Sequence, residues 1–168
     1  MNNSRFQIIL LFILLVLAQV FFFDKLYLYD YINPMIYIVF IMVYPFQYSK
    51  GTFYIISFLL GLILDIFHGT GGMHASASLT IAALRYPLIT LLIGKDTETT
   101  DVEISSTRNY IMIIYLLVLV LIHHLVLFYL DFFKISALGI VLLSTVKTGF
   151  FTFIISFLGV KFFQQIKK

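Results

Sequence analysis

"GLILDIFHGTGGMHAS", residues 61–76, sets one carboxylate, two histidines and four glycines into an otherwise apolar chain. The runs on either side, about Thr52 to Phe67 and Met73 to Ile93, each suit a helix. Between them Gly69, Gly71 and Gly72 can supply the positive-φ conformations that a tight reversal needs. The stretch therefore reads as the tip of a helical hairpin. Other chemistries fit it poorly. "GTGGMH" has His74 where a G-x-G-x-x-G phosphate loop needs its last glycine, no strand precedes it, and no Lys-Ser/Thr pair follows. His68 and His74, separated by five residues across the glycines, match neither zinc nor di-iron ligand spacing, so no metal or other cofactor is expected.

The rest of the chain places that hairpin in a bilayer. Of 168 residues, 61% are hydrophobic and only 11% charged. A soluble domain of this length cannot hide so much apolar surface. Cysteine is absent, which removes disulfides, thiolate metal sites and cysteine nucleophiles. The net charge of +3 reads as orientation information rather than as a nucleic-acid footprint. Counting uncharged runs against the ~20 residues that a crossing helix needs gives an all-α integral membrane protein, a single six-helix transmembrane bundle. The spans are about 6–23, 34–48, 52–67, 73–93, 110–130 and 137–163, with one polar loop, 94–108. The first is expected to be retained, since "LAQVFFFDKLY" has no Ala-x-Ala cleavage pattern. The second is short: Asn33 is expected to cap it and Pro34 to start it, with Pro45 near its end.

Basic residues then set the sidedness. Arg5, Lys50, Lys95, Arg108, Lys161, Lys167 and Lys168 fall on one face of the six-span arrangement, and only Lys25 and Lys134 on the other. The positive-inside rule makes the first face cytoplasmic, with both termini inside and the 61–76 hairpin tip outside.

Polar residues within spans need partners. Asp65 lies near the C-terminal end of its helix, where the dipole disfavours an anion. Its expected compensation is a clasp onto the free backbone amides that open the fourth span, with Thr70 and His74 as added donors. A proton- or ligand-handling role is the competing reading. Arg85 shares a face with His74, Ser78 and Ala82, roughly 13 Å from the inner end of its helix. That is too deep for full snorkelling, so it is expected to bond within the bundle or a wet groove, helped by carbonyls that Pro87 frees. In the sixth span Ser144, Thr148, Thr152 and Ser156 recur every fourth residue near Gly149 and Gly159, a stripe suited to close helix packing. Lys147, about ten residues inside that run, is expected to snorkel outward. His123 and His124 have no partner at ligand spacing and are expected to pack with one hydrogen bond each.

Residues 32–87, from "INPMIYIVF" to "AALRYP", resemble the central region of the rod shape-determining MreD family. The resemblance rests on a proline-flanked short second span, on Gly-Leu-x-x-Asp ending the third, and on Gly-x-His-Ala opening the fourth. The matching residues are Gly61, Leu62, Asp65, Gly72, His74 and Ala75. Many members of that family carry an arginine cluster after the fourth span, and here "LLIGKDTETTDVE" departs from it.

The resemblance implies a non-enzymatic subunit of the bacterial cell-elongation machinery in the inner membrane. Its expected direct partner is MreC; through MreC come the glycosyltransferase RodA with its penicillin-binding transpeptidase and, indirectly, MreB filaments. Membrane lipid surrounds it and no nucleic acid is implied. The fold is expected to be similar to that of the substrate-binding subunit of energy-coupling-factor vitamin transporters. Two other function classes stay open at this point: such a transporter subunit, which needs a roomy polar pocket, and a membrane enzyme using Asp65 with the histidines, for which no nucleophile–base–orienter set is readable.

Overall fold

The structure is a computed structural model that describes residues 2–26, 32–94 and 108–166. Six α-helices occur among them: α1 (Asn2–Phe21), α2 (Ile38–Val43), α3 (Lys50–His68), α4 (Met73–Ile93), α5 (Asn109–Phe132) and α6 (Leu138–Ile166). All except α2 are long and apolar enough to cross a membrane. Most of the polar 94–108 loop lies outside the described residues.

Helix boundaries follow local chemistry. Ser49 caps α3 by accepting from the Thr52 amide at 3.2 Å, and Gly69 ends it in the left-handed conformation, donating to the Asp65 carbonyl at 2.8 Å. Helices α3 to α6 pack in chain order as antiparallel neighbours, α3 on α4, α4 on α5 and α5 on α6. The long helix α1 lies against α2 and α3 and leaves Phe6, Ile9, Leu10, Ile13, Leu14 and Leu17 exposed. Exposed apolar surface of that extent suits lipid rather than water.

The second span corrects the sequence reading. No helix runs over 34–48; only Ile38–Val43 is α-helical, and Asn33 and Pro34 lie well before its start. Asn33 turns its amide to Asp24 instead, at 3.0 Å. The segment nevertheless traverses the bundle. Asn33 and His68 both meet Asp24 near the end of α1, whereas α3 begins at Lys50, at the opposite end. Irregular backbone at such depth survives only where protein supplies its hydrogen bonds. Here Gln19 of α1 accepts from the Ile36 amide at 2.8 Å and donates to the Pro34 carbonyl at 3.3 Å. Thr152 of α6 accepts from the Met35 amide at 3.1 Å. Residues 37–42 are all buried, so α2 forms the centre of the core, with Leu60 and Leu64 of α3, Ile81 of α4 and Leu119 of α5 also buried in that core.

Candidate functional site

The 61–76 hairpin is joined by a carboxylate. Asp65 Oδ1 accepts from the His74 amide at 2.9 Å and from the Thr70 hydroxyl at 2.5 Å, while Oδ2 accepts from the Ala75 amide at 2.9 Å. Those amides open α4, where the helix dipole favours an anion. Gly72 stands at the N-cap of α4 with φ 101°, a conformation that favours glycine. One turn before Asp65, Gly61 brings α3 onto the α4 backbone: a Cβ there would sit 2.5 Å from the Ala75 Cα. Gly61, Asp65, Thr70, Gly72 and His74 thus meet in one joint. The His74 imidazole is the exception, since it turns away from Asp65 to the Tyr37 hydroxyl.

Arg85 belongs to a different cluster, at the far end of α2. Its Nη2 donates to the Tyr44 carbonyl and its Nε to the Tyr115 hydroxyl at 3.0 Å; that hydroxyl in turn donates to the Met42 carbonyl at 3.2 Å. The carbonyls of Met42 and Tyr44 close the C-terminal end of α2, where the dipole favours a cation. Aromatic faces supply the rest, with the guanidinium carbon 3.8 Å from the Phe46 ring centroid and 4.9 Å from that of Phe53. Arg85 is 1% exposed. The carbonyls it bonds are those of α2 rather than any that Pro87 frees in α4. Among the described residues no carboxylate pairs with it, and its Nη1 has no hydrogen-bond partner.

The third cluster contains every histidine in the chain. At its open end His68 Nε2 lies 2.6 Å from Asp24 Oδ2, and Asp24 Oδ1 accepts from Gln19 at 2.7 Å and Asn33 at 3.0 Å. The His68 ring stacks on His74 with centroids 4.9 Å apart. Tyr37 then bridges two imidazoles, 2.9 Å from His74 Nδ1 and 2.7 Å from His123 Nε2. A phenol has one proton to donate, so one of those nitrogens carries a hydrogen and the other does not. His123 meets His124 edge to face. His124 has a fixed tautomer: Nδ1 faces the Val120 carbonyl at 2.8 Å and must carry the proton. Its Nε2 therefore accepts from Thr152, whose oxygen is already occupied as acceptor for the Met35 amide.

Sequence reasoning missed Gln19, Asp24, Tyr37 and Tyr115. A signal existed for Gln19, an amide late in an uncharged span, and for none of the others. The stripe on α6 is divided: Thr148, Thr152 and Ser156 are buried, Ser144 only half so. Chemically, Asp65 accepts from three donors, two of them backbone amides, and serves as a fixed acceptor. No metal-ligand group of three occurs among the described residues. Comparison of the chain with family models, with curated proteins and with solved structures gives no significant match.

Proposed function

We propose that this protein is a non-enzymatic, multi-pass subunit of the bacterial cell-elongation machinery, of the MreD type. In this reading it sits in the inner membrane with both termini cytoplasmic and docks MreC. It thereby helps couple MreB filaments inside to peptidoglycan synthesis outside by RodA and its penicillin-binding transpeptidase. The observation that carries the reading is the α3–α4 joint. Five of the six residues on which the MreD resemblance rests, Gly61, Asp65, Gly72, His74 and Ala75, are spent there on holding two helices together. A carboxylate committed to backbone amides suits a rigid docking platform better than proton transfer. The second, irregular traverse supports an even number of crossings, six in all, as in the vitamin-transporter subunits to which the fold is likened.

Depletion in a rod-shaped host is the direct test. Rounded cells are expected, together with recovery of MreC on affinity purification of this chain from solubilised membranes. Unaltered cell shape with no recovery of MreC, or growth restored by a supplied nutrient, overturns the reading in favour of transport.

A further inference from the structure

Lys147 stands at the wrong depth for an exposed lysine. It is the sole charged residue between Lys134 and Lys161, 13 positions after the first and 14 before the second. Those two mark the polar ends of α6: Lys134 is exposed just before the helix, and Lys161 donates to Asn109 Oδ1, at the start of α5, at 2.7 Å. At 1.5 Å per residue Lys147 lies about 20 Å from either, close to the midplane of a hydrocarbon core about 30 Å thick. A four-carbon stem does not bridge that distance, so the snorkelling expected from sequence fails.

Nor does the bundle take it in. Lys147 is exposed, turned away from the buried stripe of Val141, Thr145, Thr148 and Thr152 on α6. No described residue bonds it. Its neighbours along the helix, Ile140, Leu143, Phe150 and Ile154, are exposed as well, each between 39% and 59%. Together with Lys147 they are spaced 3, 4, 3 and 4 residues apart, which is the seam one helix presents to another. A single polar residue in such a seam fixes register and partner choice.

We propose that this face of α6 docks a transmembrane helix of a different protein, one that carries a carboxylate at mid-membrane depth. An ammonium in hydrocarbon calls for an anionic partner, and lipid phosphates lie at the interfaces. A second copy of this chain has none to give. Its eight acidic residues are Asp24, Asp30, Asp96, Glu98, Asp101, Glu103 and Asp131, at or beyond the ends of the long apolar runs, and Asp65, which is buried in its clasp. The inference rests on the membrane reading and deepens the docking role without depending on MreC.

The test places a photo-crosslinking benzoyl-phenylalanine at Phe150 in native membranes and identifies the captured segment by mass spectrometry. Expected is an adduct to a transmembrane segment of another protein with an Asp or Glu within one turn of the crosslinked depth. Lys147→Met keeps the fold, since the residue is exposed and bonds no described residue, and should lower the adduct yield about tenfold or more. Lys147→Glu should lose it and regain it when the captured carboxylate is changed to lysine. Adducts to lipid only, to a second copy, or to a segment without a carboxylate overturn the proposal, as does a yield that Lys147→Met leaves unchanged. Should the captured helix come from a chain other than MreC, the elongation reading is weakened while the docking face stands. MreC recovered through some other face, with lipid at Phe150, gives the reverse.

Discussion

Asp65 and Arg85 are both buried charges, 4% and 1% exposed, and they are held in opposite ways. Every partner of Asp65 lies within ten residues of it, at the tip of one hairpin. Arg85 reaches 41 residues back to Tyr44 and 30 forward to Tyr115, so three separate segments must be in place before its two hydrogen bonds form. The first arrangement is a joint that two helices complete between themselves. The second is a lock on the whole bundle. Each nevertheless obeys the same electrostatic rule, the anion at a helix N-terminus and the cation at a helix C-terminus.

If that contrast is right, Arg85→Leu should have the largest effect. It strands the Tyr44 carbonyl, at about 1–3 kcal/mol when buried without a partner, takes one of two hydrogen bonds from the Tyr115 hydroxyl, which keeps the Met42 carbonyl, and removes the cation that Phe46 and Phe53 face. The expected outcome is low accumulation in the membrane and a strongly lowered Tm in detergent, with little recovery by Arg85→Lys, which cannot present a planar fork to two acceptors. A wild-type Tm for Arg85→Leu would show that the lock is ornamental.

The joint should give less. Asp65→Leu leaves the Thr70, His74 and Ala75 donors without their acceptor, but they lie near the mouth of the bundle, and the loss should be about 1–3 kcal/mol in total. Asp65→Asn sharpens the contrast. Both carboxylate oxygens accept amides, so an asparagine must turn its own NH2 toward one of them, and its Tm should fall between wild type and Leu. An Asn variant as damaged in function as Leu, yet folded like wild type, would move Asp65 from architecture to proton chemistry.

Tyr37→Phe should be the mildest change. It keeps the ring in its packed position and relieves the burial of a hydroxyl, which offsets part of what His74 Nδ1 and His123 Nε2 lose, for a cost of about 1–3 kcal/mol. On the proposed elongation role, cell shape in a complementation assay is expected to survive. Lost shape at near-normal Tm would assign a function to the histidine string itself.

The same contrast governs what could be read from the sequence. The joint was legible because its parts obey rules of short range: glycines that reverse a chain, a carboxylate out of favour at one helix end and in favour at the next. The long apolar helices were legible by counting. The course of residues 33–49 was not, because the rule that Asn caps and Pro starts a helix presumes that a segment must satisfy its own first amides. Gln19 and Thr152 satisfy two of them from other helices, one of them 117 residues away. Arg85 was rightly expected to face the bundle, but nothing in its neighbourhood named Tyr44 or Tyr115. Likewise His123 and His124 have no sequence pattern in common with Tyr37, and only the packed fold aligns them.

The dependence of α2 on distant side chains has a consequence for biogenesis. A six-residue helix with borrowed hydrogen bonds at both ends cannot settle in hydrocarbon as it leaves the ribosome. The Met35 amide, three residues before the helix, waits for Thr152, and at a synthesis rate of about 5–20 residues per second that residue follows Met35 by roughly 6–23 s. Through that interval the segment must shelter in the insertion machinery or remain at the interface. The membrane order of this protein is therefore not its chain order: the second segment made is the last to be finished, and any mutation that delays α6 will be felt first in the middle of the core.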